Sequence, residues 1–372
     1  MECSIPIIRY SEFSDELHQK ALKARIPLDG ALELTFRCNL KCIHCYCNLS
    51  ADDIKAKSEE LTTREVFCIL DQLKEAGCLF LLFTGGEPLL RPDLLDIYDY
   101  AKKNGFIITI FTNGTMVTQS LVNYLEKQRP FTVEISLYGI TEKTYERITG
   151  VQGSFNKCLK GIELLKGAGV SLKLKTMLLS INQEELKEIK AFVRNLGLSF
   201  SFDPILNPRL DGNRSPYAYR VSPEEVVRWD IEDDARKEAW KKYLGTYSTN
   251  YENEQIFTCA AGKSSFVINP YGNLSPCMMV RSPAYNLRNG NLKKGWSEFI
   301  PKVIATKYSA FNKCRTCSDY VFCDRCPGWS FLETGNKEAP LEYVCQIARM
   351  RSHIFRKGGI YEKEDIPQTQ DI

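Results

Sequence analysis

The sequence predicts an α/β fold with a parallel β-sheet, followed by a small cysteine-rich domain. From residue 31 to about residue 205, six apolar strand-like segments alternate strictly with five amphipathic helix-like segments. This alternation is typical of parallel sheets with right-handed crossover helices. Six strands are too few for a complete eight-unit barrel. Seven cysteines in the last third of the chain indicate a second, different region.

Each element of the alternating region has its own sequence signal. The strands are predicted at residues 31–36, 78–84, 106–112, 131–137, 171–178 and 199–203. The helices are predicted at residues 62–75, 91–103, 118–127, 154–167 and 183–196. Capping signals begin two of these helices, Thr62 with Glu65 and Asn182 with Glu185.

The chain is predicted to divide into four parts. Residues 1–28 form an N-terminal extension, and residues 29–225 form the strand–helix domain. Prolines and glycines interrupt regular structure before residues 226–258, which are predicted to hold linker helices. Residues 259–372 form the cysteine-rich domain and a C-terminal tail, and a β-hairpin is predicted within residues 265–275.

Composition excludes several classes of function. The chain has 372 residues, is 44% hydrophobic, and carries a net charge of only +3. This balance argues against binding to nucleic acid or to a membrane surface. No apolar run approaches the roughly 20 residues that span a bilayer, and the N-terminus lacks a signal-peptide pattern. We therefore expect a cytoplasmic protein, in which most of the fifteen cysteines are not in disulfides.

Three cysteines, Cys38, Cys42 and Cys45, follow the first predicted strand within eight residues. Parallel α/β folds place their chemistry at this carboxyl end of the strands. Structural zinc sites and most iron–sulfur clusters use four protein ligands. Three thiolates on a four-iron cluster leave one iron open to a substrate-like molecule. The alternatives are a disulfide pair or a zinc loop whose fourth ligand is His44 or Cys47.

The triplet, followed by the aromatic residue Tyr46, resembles the signature of the radical S-adenosylmethionine (SAM) superfamily. The resemblance implies an open, partial (β/α)6 barrel that admits large substrates. It also implies a 4Fe–4S cluster on Cys38, Cys42 and Cys45, whose free iron chelates the amino and carboxylate groups of SAM. One electron from that cluster breaks the S–C5′ bond, and the resulting 5′-deoxyadenosyl radical abstracts hydrogen from a substrate.

A second motif, Gly85-Gly86-Glu87-Pro88, follows the second predicted strand. Two glycines allow a ligand to approach the backbone closely, although a lone Gly-Gly pair is usually a turn. The motif resembles the superfamily sequence that contacts the SAM amino group. Glu87 is expected either to meet that group or to fix the loop.

Other candidate SAM contacts lie at later strand ends. By the same resemblance, Ser136 and Asn113 hydrogen-bond the SAM ribose, and Arg147 pairs with the SAM carboxylate. The alternatives are an Asn-Gly turn at Asn113 and a surface charge at Arg147. Lys175, in the fifth strand, points either into the barrel or towards the helices, and an inward lysine needs a partner or a ligand.

The late cysteines resemble the SPASM domain, which holds auxiliary clusters in peptide-modifying radical SAM enzymes. The seven are Cys259, Cys277, Cys314, Cys317, Cys323, Cys326 and Cys345. The family usually has three residues between its fifth and sixth cysteines, whereas this chain has two. The resemblance implies that the 314, 317, 323 and 345 thiolates complete one 4Fe–4S cluster. Those at 259, 277 and 326 would hold the other, with its fourth ligand open. A zinc-ribbon-like site is the alternative.

The resulting hypothesis is a radical SAM/SPASM maturase with three 4Fe–4S clusters and SAM. It would abstract hydrogen from a ribosomally made precursor peptide and form a thioether or carbon–carbon link, with auxiliary clusters accepting the surplus electron. A flavodoxin or ferredoxin would supply electrons, and a separate protein would bind the leader peptide. The alternatives are an enzyme that modifies tetrapyrrole side chains in haem biosynthesis, a sulfatase-maturase-like oxidase, and a non-enzymatic Fe–S electron carrier or scaffold.

Overall fold

The computed structural model describes residues 10–47, 49–246 and 254–356. Parts of the predicted N-terminal extension, linker and C-terminal tail lie outside these ranges. In the described residues the chain forms one nine-stranded and one two-stranded sheet. The strands are β1 (Asp29–Thr35), β2 (Arg37–Cys38), β3 (Leu49–Ser50), β4 (Phe80–Gly85), β5 (Ile107–Thr112), β6 (Thr132–Ser136), β7 (Leu172–Met177), β8 (Ser199–Asp203), β9 (Ser265–Ile268), β10 (Asn273–Ser275) and β11 (Tyr285–Asn286).

Fourteen α-helices lie within the described residues. They are α1 (Tyr10–Ala24), α2 (Ile54–Glu59), α3 (Thr63–Glu75), α4 (Leu94–Lys103), α5 (Gln119–Lys127), α6 (Glu142–Thr149), α7 (Ser154–Gly167), α8 (Leu186–Asn195), α9 (Pro223–Glu232), α10 (Asp234–Thr246), α11 (Leu292–Lys294), α12 (Ile300–Ile304), α13 (Pro327–Thr334) and α14 (Glu342–Arg356). Among the described residues, none of these helices combines the length and apolar character needed to cross a bilayer.

The predicted parallel α/β sheet is confirmed. Strands β1, β4, β5, β6, β7 and β8 lie side by side in chain order and pair in parallel. Each begins and ends within two residues of its predicted bounds. In the described sheet β8 is an edge strand and does not pair back to β1. The barrel is therefore partial and open, as the sequence indicated.

The two faces of this sheet differ in burial, because side chains alternate along each strand. One face packs under the helices in the main core and includes Phe83, Ile110, Ile135 and Leu174. Each such side chain contributes about 1.5–3 kcal/mol by leaving water. The other face forms the concave inside of the partial barrel. Its half-buried side chains include Phe111, Glu134, Ser136, Lys173 and Lys175.

The predicted hairpin at residues 265–275 is confirmed as β9 and β10. It extends the barrel sheet, because β9 pairs in parallel with β1 from Asp29↔Ser265 to Leu32↔Ile268. Strand β11 then pairs with β10. No sequence pattern indicated the β1–β9 pairing, since packing sets the register between strands that are distant in sequence.

One of the two predicted capping signals is confirmed. Thr62 and Glu65 form a complete capping box at the start of α3. The signal at Asn182 was wrong, because its side chain does not cap a helix. It accepts a hydrogen bond from the Leu179 N–H at 2.7 Å and donates to the Tyr138 carbonyl at 2.8 Å. Asn182 therefore joins two loops at the strand ends, and a short 3-10 turn precedes α8.

A buried ion network attaches α14 to the helices that follow the barrel. The Arg351 side chain is only 1% exposed, and its Nε lies 2.6 Å from Oδ2 of Asp230 in α9. Arg351 also contacts the Asp324 carboxylate, next to Cys323. Arg236 of α10 donates to the other Asp230 oxygen at 2.9 Å. The pairing fixes the end of the chain against α9, because buried charges are tolerated only when paired.

We predict that Arg351→Met lowers the free energy of unfolding by about 3 kcal/mol, since it leaves Asp230 partly uncompensated in the core. Arg349→Met on the same helix is the matched control. Arg349 is 41% exposed and pairs with an exposed Glu342, so its loss costs less than about 1 kcal/mol. Urea unfolding followed by tryptophan fluorescence measures both. Equal effects of the two substitutions would contradict this account of the network.

Candidate active site

The loop that carries Cys38, Cys42 and Cys45 is pinned beside the end of α6. The Lys41 N–H donates to the Thr149 carbonyl at 2.8 Å, and the Ile43 N–H donates to the Ile148 carbonyl at 3.0 Å. Both acceptors belong to the last turn of a helix, where carbonyl groups lack partners within the helix. The loop is therefore held by backbone contacts that do not depend on its side chains.

The structure brings the three thiols of this loop together. Burial, with smaller contributions from Glu87 and Cys45, raises the pKa of Cys38 to about 12. Burial also raises the pKa of Cys42 well above its usual value, with added contributions from Cys45 and Cys38. Neighbouring thiols that resist ionisation need a positive partner to become thiolates. This donor set fits an iron–sulfur cluster, whose irons would supply that charge.

Gly85 and Gly86 allow the chain to run directly beside the segment that leads into Cys38. Gly85 has a φ of +121°, and a Cβ there would lie 2.1 Å from the Thr35 carbonyl oxygen. A Cβ on Gly86 would lie 2.2 Å from the Arg37 carbonyl oxygen. The Gly86 N–H instead donates to the Thr35 carbonyl at 2.7 Å. Close approach of two backbones thus requires both glycines, and their contact with a ligand stays a prediction.

Glu87 fixes the loops at the ends of β4 and β5, one of its two expected roles. Its carboxylate is fully buried and accepts hydrogen bonds from the Asn113 N–H at 2.7 Å, the Thr112 hydroxyl at 2.8 Å and the Leu89 N–H at 3.0 Å. Burial raises the pKa of Glu87 to about 7, although these hydrogen bonds oppose the shift.

Asn113 connects this network to the cysteine loop. Its Nδ2 donates to the Asn39 side-chain oxygen at 2.8 Å and lies 3.7 Å from Cys38 Sγ. Asn39 in turn donates to the Thr115 hydroxyl at 2.8 Å. The structure therefore places Asn113 directly beside a predicted cluster ligand, within the set of loops where a nucleotide-like ligand is expected.

The two other candidate SAM contacts lie in different environments. Ser136 ends β6 and hydrogen-bonds the Tyr138 phenol, whose pKa is raised first by burial and then by the nearby Cys42. Tyr138 packs edge-on against His44, with ring centroids 4.6 Å apart. Ser136 is thus near the cysteine loop. Arg147 is exposed on α6, and its contact with SAM remains a prediction.

A buried acid that no sequence motif indicated contacts the cysteine loop. Glu33 of β1 accepts two hydrogen bonds from the Arg281 guanidinium, at 2.6 and 2.8 Å. The Tyr46 hydroxyl donates to the Gly85 carbonyl at 3.1 Å and lies 3.3 Å from the Glu33 carboxylate. The presence of Glu33 within an apolar strand could have indicated a buried carboxylate with a partner. No sequence pattern indicated that this partner is Arg281, more than two hundred residues away.

The late cysteines fall into two groups in space. Cys314, Cys317, Cys323 and Cys345 line one cavity of about 70 Å³. Arg325 also lines this cavity and opposes the rise in the Cys314 pKa that burial causes. A cavity with four thiols on its wall fits the expected cluster better than a packed core would.

The second group contains Cys259, Cys277 and Cys326. Burial and the nearby Cys326 raise the pKa of Cys277 to about 12, and Cys259 contributes. Cys326 lies just before α13. Burial raises the pKa of its thiol, whereas hydrogen bonds from the Trp329 and Gly328 N–H groups lower it. Across the described ranges, no three His, Cys, Asp or Glu side chains are placed so that they could hold a metal ion. Cluster ligation by the cysteine loop and by either late group therefore stays a prediction.

Residues 32–193 match the profile of the radical SAM superfamily. This segment contains the cysteine loop, the second half of β1 and the strands β2 to β7. Residues 32–193 therefore form a radical SAM domain, which supports an enzyme and implies one 4Fe–4S cluster and SAM.

Relatives of known function align over most of the chain. An AdoMet-dependent heme synthase of Methanosarcina barkeri is 26% identical over 82% of this chain and 93% of its own length. The subtilosin biosynthesis protein AlbA of Bacillus subtilis is 28% identical over 68% of this chain and 55% of its own. The PqqA peptide cyclase of Gluconobacter oxydans is 24% identical over 87% of this chain and 91% of its own.

The same architecture occurs in a solved enzyme structure. Streptococcus suis SuiB, bound to its precursor peptide SuiA, superimposes with a TM-score of 0.67 at 18% identity. The match covers 93% of this chain and 83% of SuiB. At this identity the likeness establishes a shared fold.

We predict that Glu87→Gln removes a pH dependence of stability. The pKa of Glu87 is about 7 in the folded protein against 4.5 in the unfolded chain. The unfolded chain therefore loses the proton first as pH rises, so wild-type stability falls between pH 4.5 and 7. Between pH 5 and pH 8, we expect the free energy of unfolding of wild type to fall by about 3 kcal/mol more than that of Glu87→Gln. Urea unfolding at both pH values measures this.

The control for this prediction is Glu184→Gln, which removes an exposed carboxylate at the start of a different turn. It should follow wild type at both pH values. A pH-independent gap between wild type and Glu87→Gln would show that the carboxylate does not titrate in this range.

Proposed function

We propose that this radical SAM enzyme is a maturase that forms a thioether or carbon–carbon link in a ribosomally synthesised peptide. The observation that carries the proposal is the gathering of Cys314, Cys317, Cys323 and Cys345 around one cavity, in addition to the cysteine loop of the barrel. The PqqA peptide cyclase, similar over nearly its whole length, supports a peptide substrate.

Different residues of the barrel bind the cluster and the separate parts of SAM. The cluster on Cys38, Cys42 and Cys45, together with SAM, supplies a 5′-deoxyadenosyl radical when both are bound. Gly85, Gly86 and Glu87 shape the loop that receives the SAM amino group. Asn113, Ser136 and Arg147 bind its ribose and carboxylate. Tyr46 keeps the loop in register through its contacts with β1 and β4.

Closing a link from a peptide radical leaves one surplus electron, which must move to an acceptor. The seven late cysteines would hold that acceptor as two auxiliary 4Fe–4S clusters, one on the four thiols of the cavity and one on the other three. A simple hydrogen-atom transfer has no such need. Two auxiliary clusters therefore favour oxidative cross-linking over atom transfer.

The open barrel matches a large substrate. In the described sheet no further strand follows the edge strand β8, so the barrel is not closed there. A precursor peptide would enter there, with a separate protein holding its leader and a flavodoxin or ferredoxin supplying electrons.

A second candidate is modification of tetrapyrrole side chains. The Methanosarcina barkeri heme synthase aligns over 93% of its own length, which is as complete as the match to any peptide-modifying relative reported above. The candidates are separated by substrate. A precursor peptide encoded beside the gene, and iron coproporphyrin III, are each incubated with enzyme, SAM and dithionite, and products are identified by mass spectrometry.

We predict about twelve irons per chain after anaerobic reconstitution, together with 5′-deoxyadenosine from SAM and dithionite. Cys317→Ala should lose about four irons and the cross-linked product while retaining SAM cleavage, because it removes a ligand outside the barrel. Iron and sulfide analysis with chromatography of 5′-deoxyadenosine measures this.

Cys68→Ala is the matched control, since Cys68 and Cys317 are both exposed thiols and only Cys317 lies on the cavity. It should retain full iron and product. Zinc in place of the auxiliary iron, or full product from Cys317→Ala, would remove the electron-acceptor role.

A further inference from the structure

Three charged side chains lie close together on the concave face of the barrel. The Glu134 carboxylate of β6 lies 3.7 Å from the Lys173 Nζ and 3.6 Å from the Lys175 Nζ of β7. Lys175 Nζ also lies 2.7 Å from the centroid of the Phe111 ring of β5. The intervening residues Ile135 and Leu174 belong to the core under the helices. Because side chains alternate along a strand, this cluster faces the barrel interior.

The cluster carries more positive than negative charge in a half-buried position. Two ammonium groups share one carboxylate, and the Lys175 side chain is only 25% exposed. Burial, with a further contribution from Lys173, lowers the pKa of Lys175 to about 7 despite the opposing effect of Glu134. A second anion near Lys175 would stabilise the charged lysine. The excess positive charge of this cluster therefore favours the binding of one anionic group of a ligand inside the barrel.

The position of Lys175 relates this cluster to the cysteine loop. Lys175 and Ser136 are register partners in neighbouring parallel strands, so their Cα atoms are about one strand spacing, roughly 4.8 Å, apart. Ser136 hydrogen-bonds Tyr138, which lies near Cys42. A group held by Lys175 would thus lie at the end of the barrel where the radical is formed.

We propose that Lys175, assisted by Lys173, binds a carboxylate of the substrate inside the barrel. This inference rests on the proposed function, since it assumes that the substrate enters the concave face. Glu134 offsets one of the two ammonium charges, which leaves room for one further carboxylate. The Phe111 ring provides an apolar surface beside it. Either an acidic residue of a peptide or a propionate of a tetrapyrrole supplies this chemistry.

The test uses two probe pairs that differ only in carboxylate charge. One pair is iron coproporphyrin III and its tetramethyl ester. The other is the blocked peptide acetyl-Gly-Glu-Tyr-Gly-amide and its Gln counterpart. Equilibrium dialysis against anaerobic holoenzyme saturated with SAM gives each Kd. Wild type should bind the carboxylate member of one pair at least about tenfold more tightly than its neutral partner, since hydrogen bonds to charged groups contribute that much.

The variants are Lys175→Met, Lys175→Arg and the control Lys190→Met. Lys175→Met should weaken carboxylate binding by about tenfold to a hundredfold and abolish the preference, whereas Lys175→Arg should keep it. Lys190 is also partly exposed and pairs with one carboxylate, Asp233, outside the barrel interior. Lys190→Met should therefore leave the Kd of every probe unchanged. The affinity for SAM, measured by dialysis of labelled SAM, should stay within about twofold in all three.

The outcomes separate this site from the proposed function. Preference in the peptide pair identifies a peptide carboxylate, and preference in the porphyrin pair identifies a propionate. No preference in either wild-type pair, or an intact preference in Lys175→Met, overturns the site. The site is also overturned if Lys175→Met weakens only SAM binding, because the Lys175 ammonium would then bind the SAM carboxylate. If wild type prefers the carboxylate probe but forms no cross-linked peptide, the carboxylate site is supported and the maturase function is contradicted.

Discussion

The buried carboxylate of Glu33 is the contact on which the arrangement of the active site depends. It is held by two hydrogen bonds from Arg281, at 2.6 and 2.8 Å, and lies 3.3 Å from the Tyr46 hydroxyl. A charge inside a protein persists only when it is paired and hydrogen-bonded. Because the three partners come from β1, the cysteine loop and the C-terminal third, satisfying this one acid fixes all three relative to each other.

The same constraint explains why the C-terminal third belongs to the barrel structurally. Strand β9 continues the sheet beyond β1, and Arg281 follows the hairpin that β9 begins. At the far end, Arg351 joins α14 to Asp230 and to Asp324, beside Cys323. Both groups of late cysteines are therefore anchored to elements that pack on the barrel. The proposed electron transfer would need such fixed distances, which flexible tethering of a separate domain would not provide.

The concave face differs from the helix-covered face in that it carries charged, half-buried side chains. Under the helices, apolar side chains pack fully and stabilise the sheet. Inside the barrel, Glu134, Lys173 and Lys175 stay half-buried, and their charges compensate each other incompletely. Such a polar interior lowers stability relative to an apolar core. Its retention on the two neighbouring strands β6 and β7 is consistent with a binding role for this face.

Local patterns in the sequence determined the six parallel strands of the barrel and most of its helices, because apolar alternation and cysteine spacing report on neighbours in the chain. Cys38, Cys42, Cys45 and the glycines at 85 and 86 could thus be predicted with the correct loops. Only the tertiary structure decided that Glu33 pairs with Arg281, that β9 joins β1, and that Lys175 faces inward beside Phe111. These are contacts between distant segments, and their geometry follows from packing that no local pattern encodes.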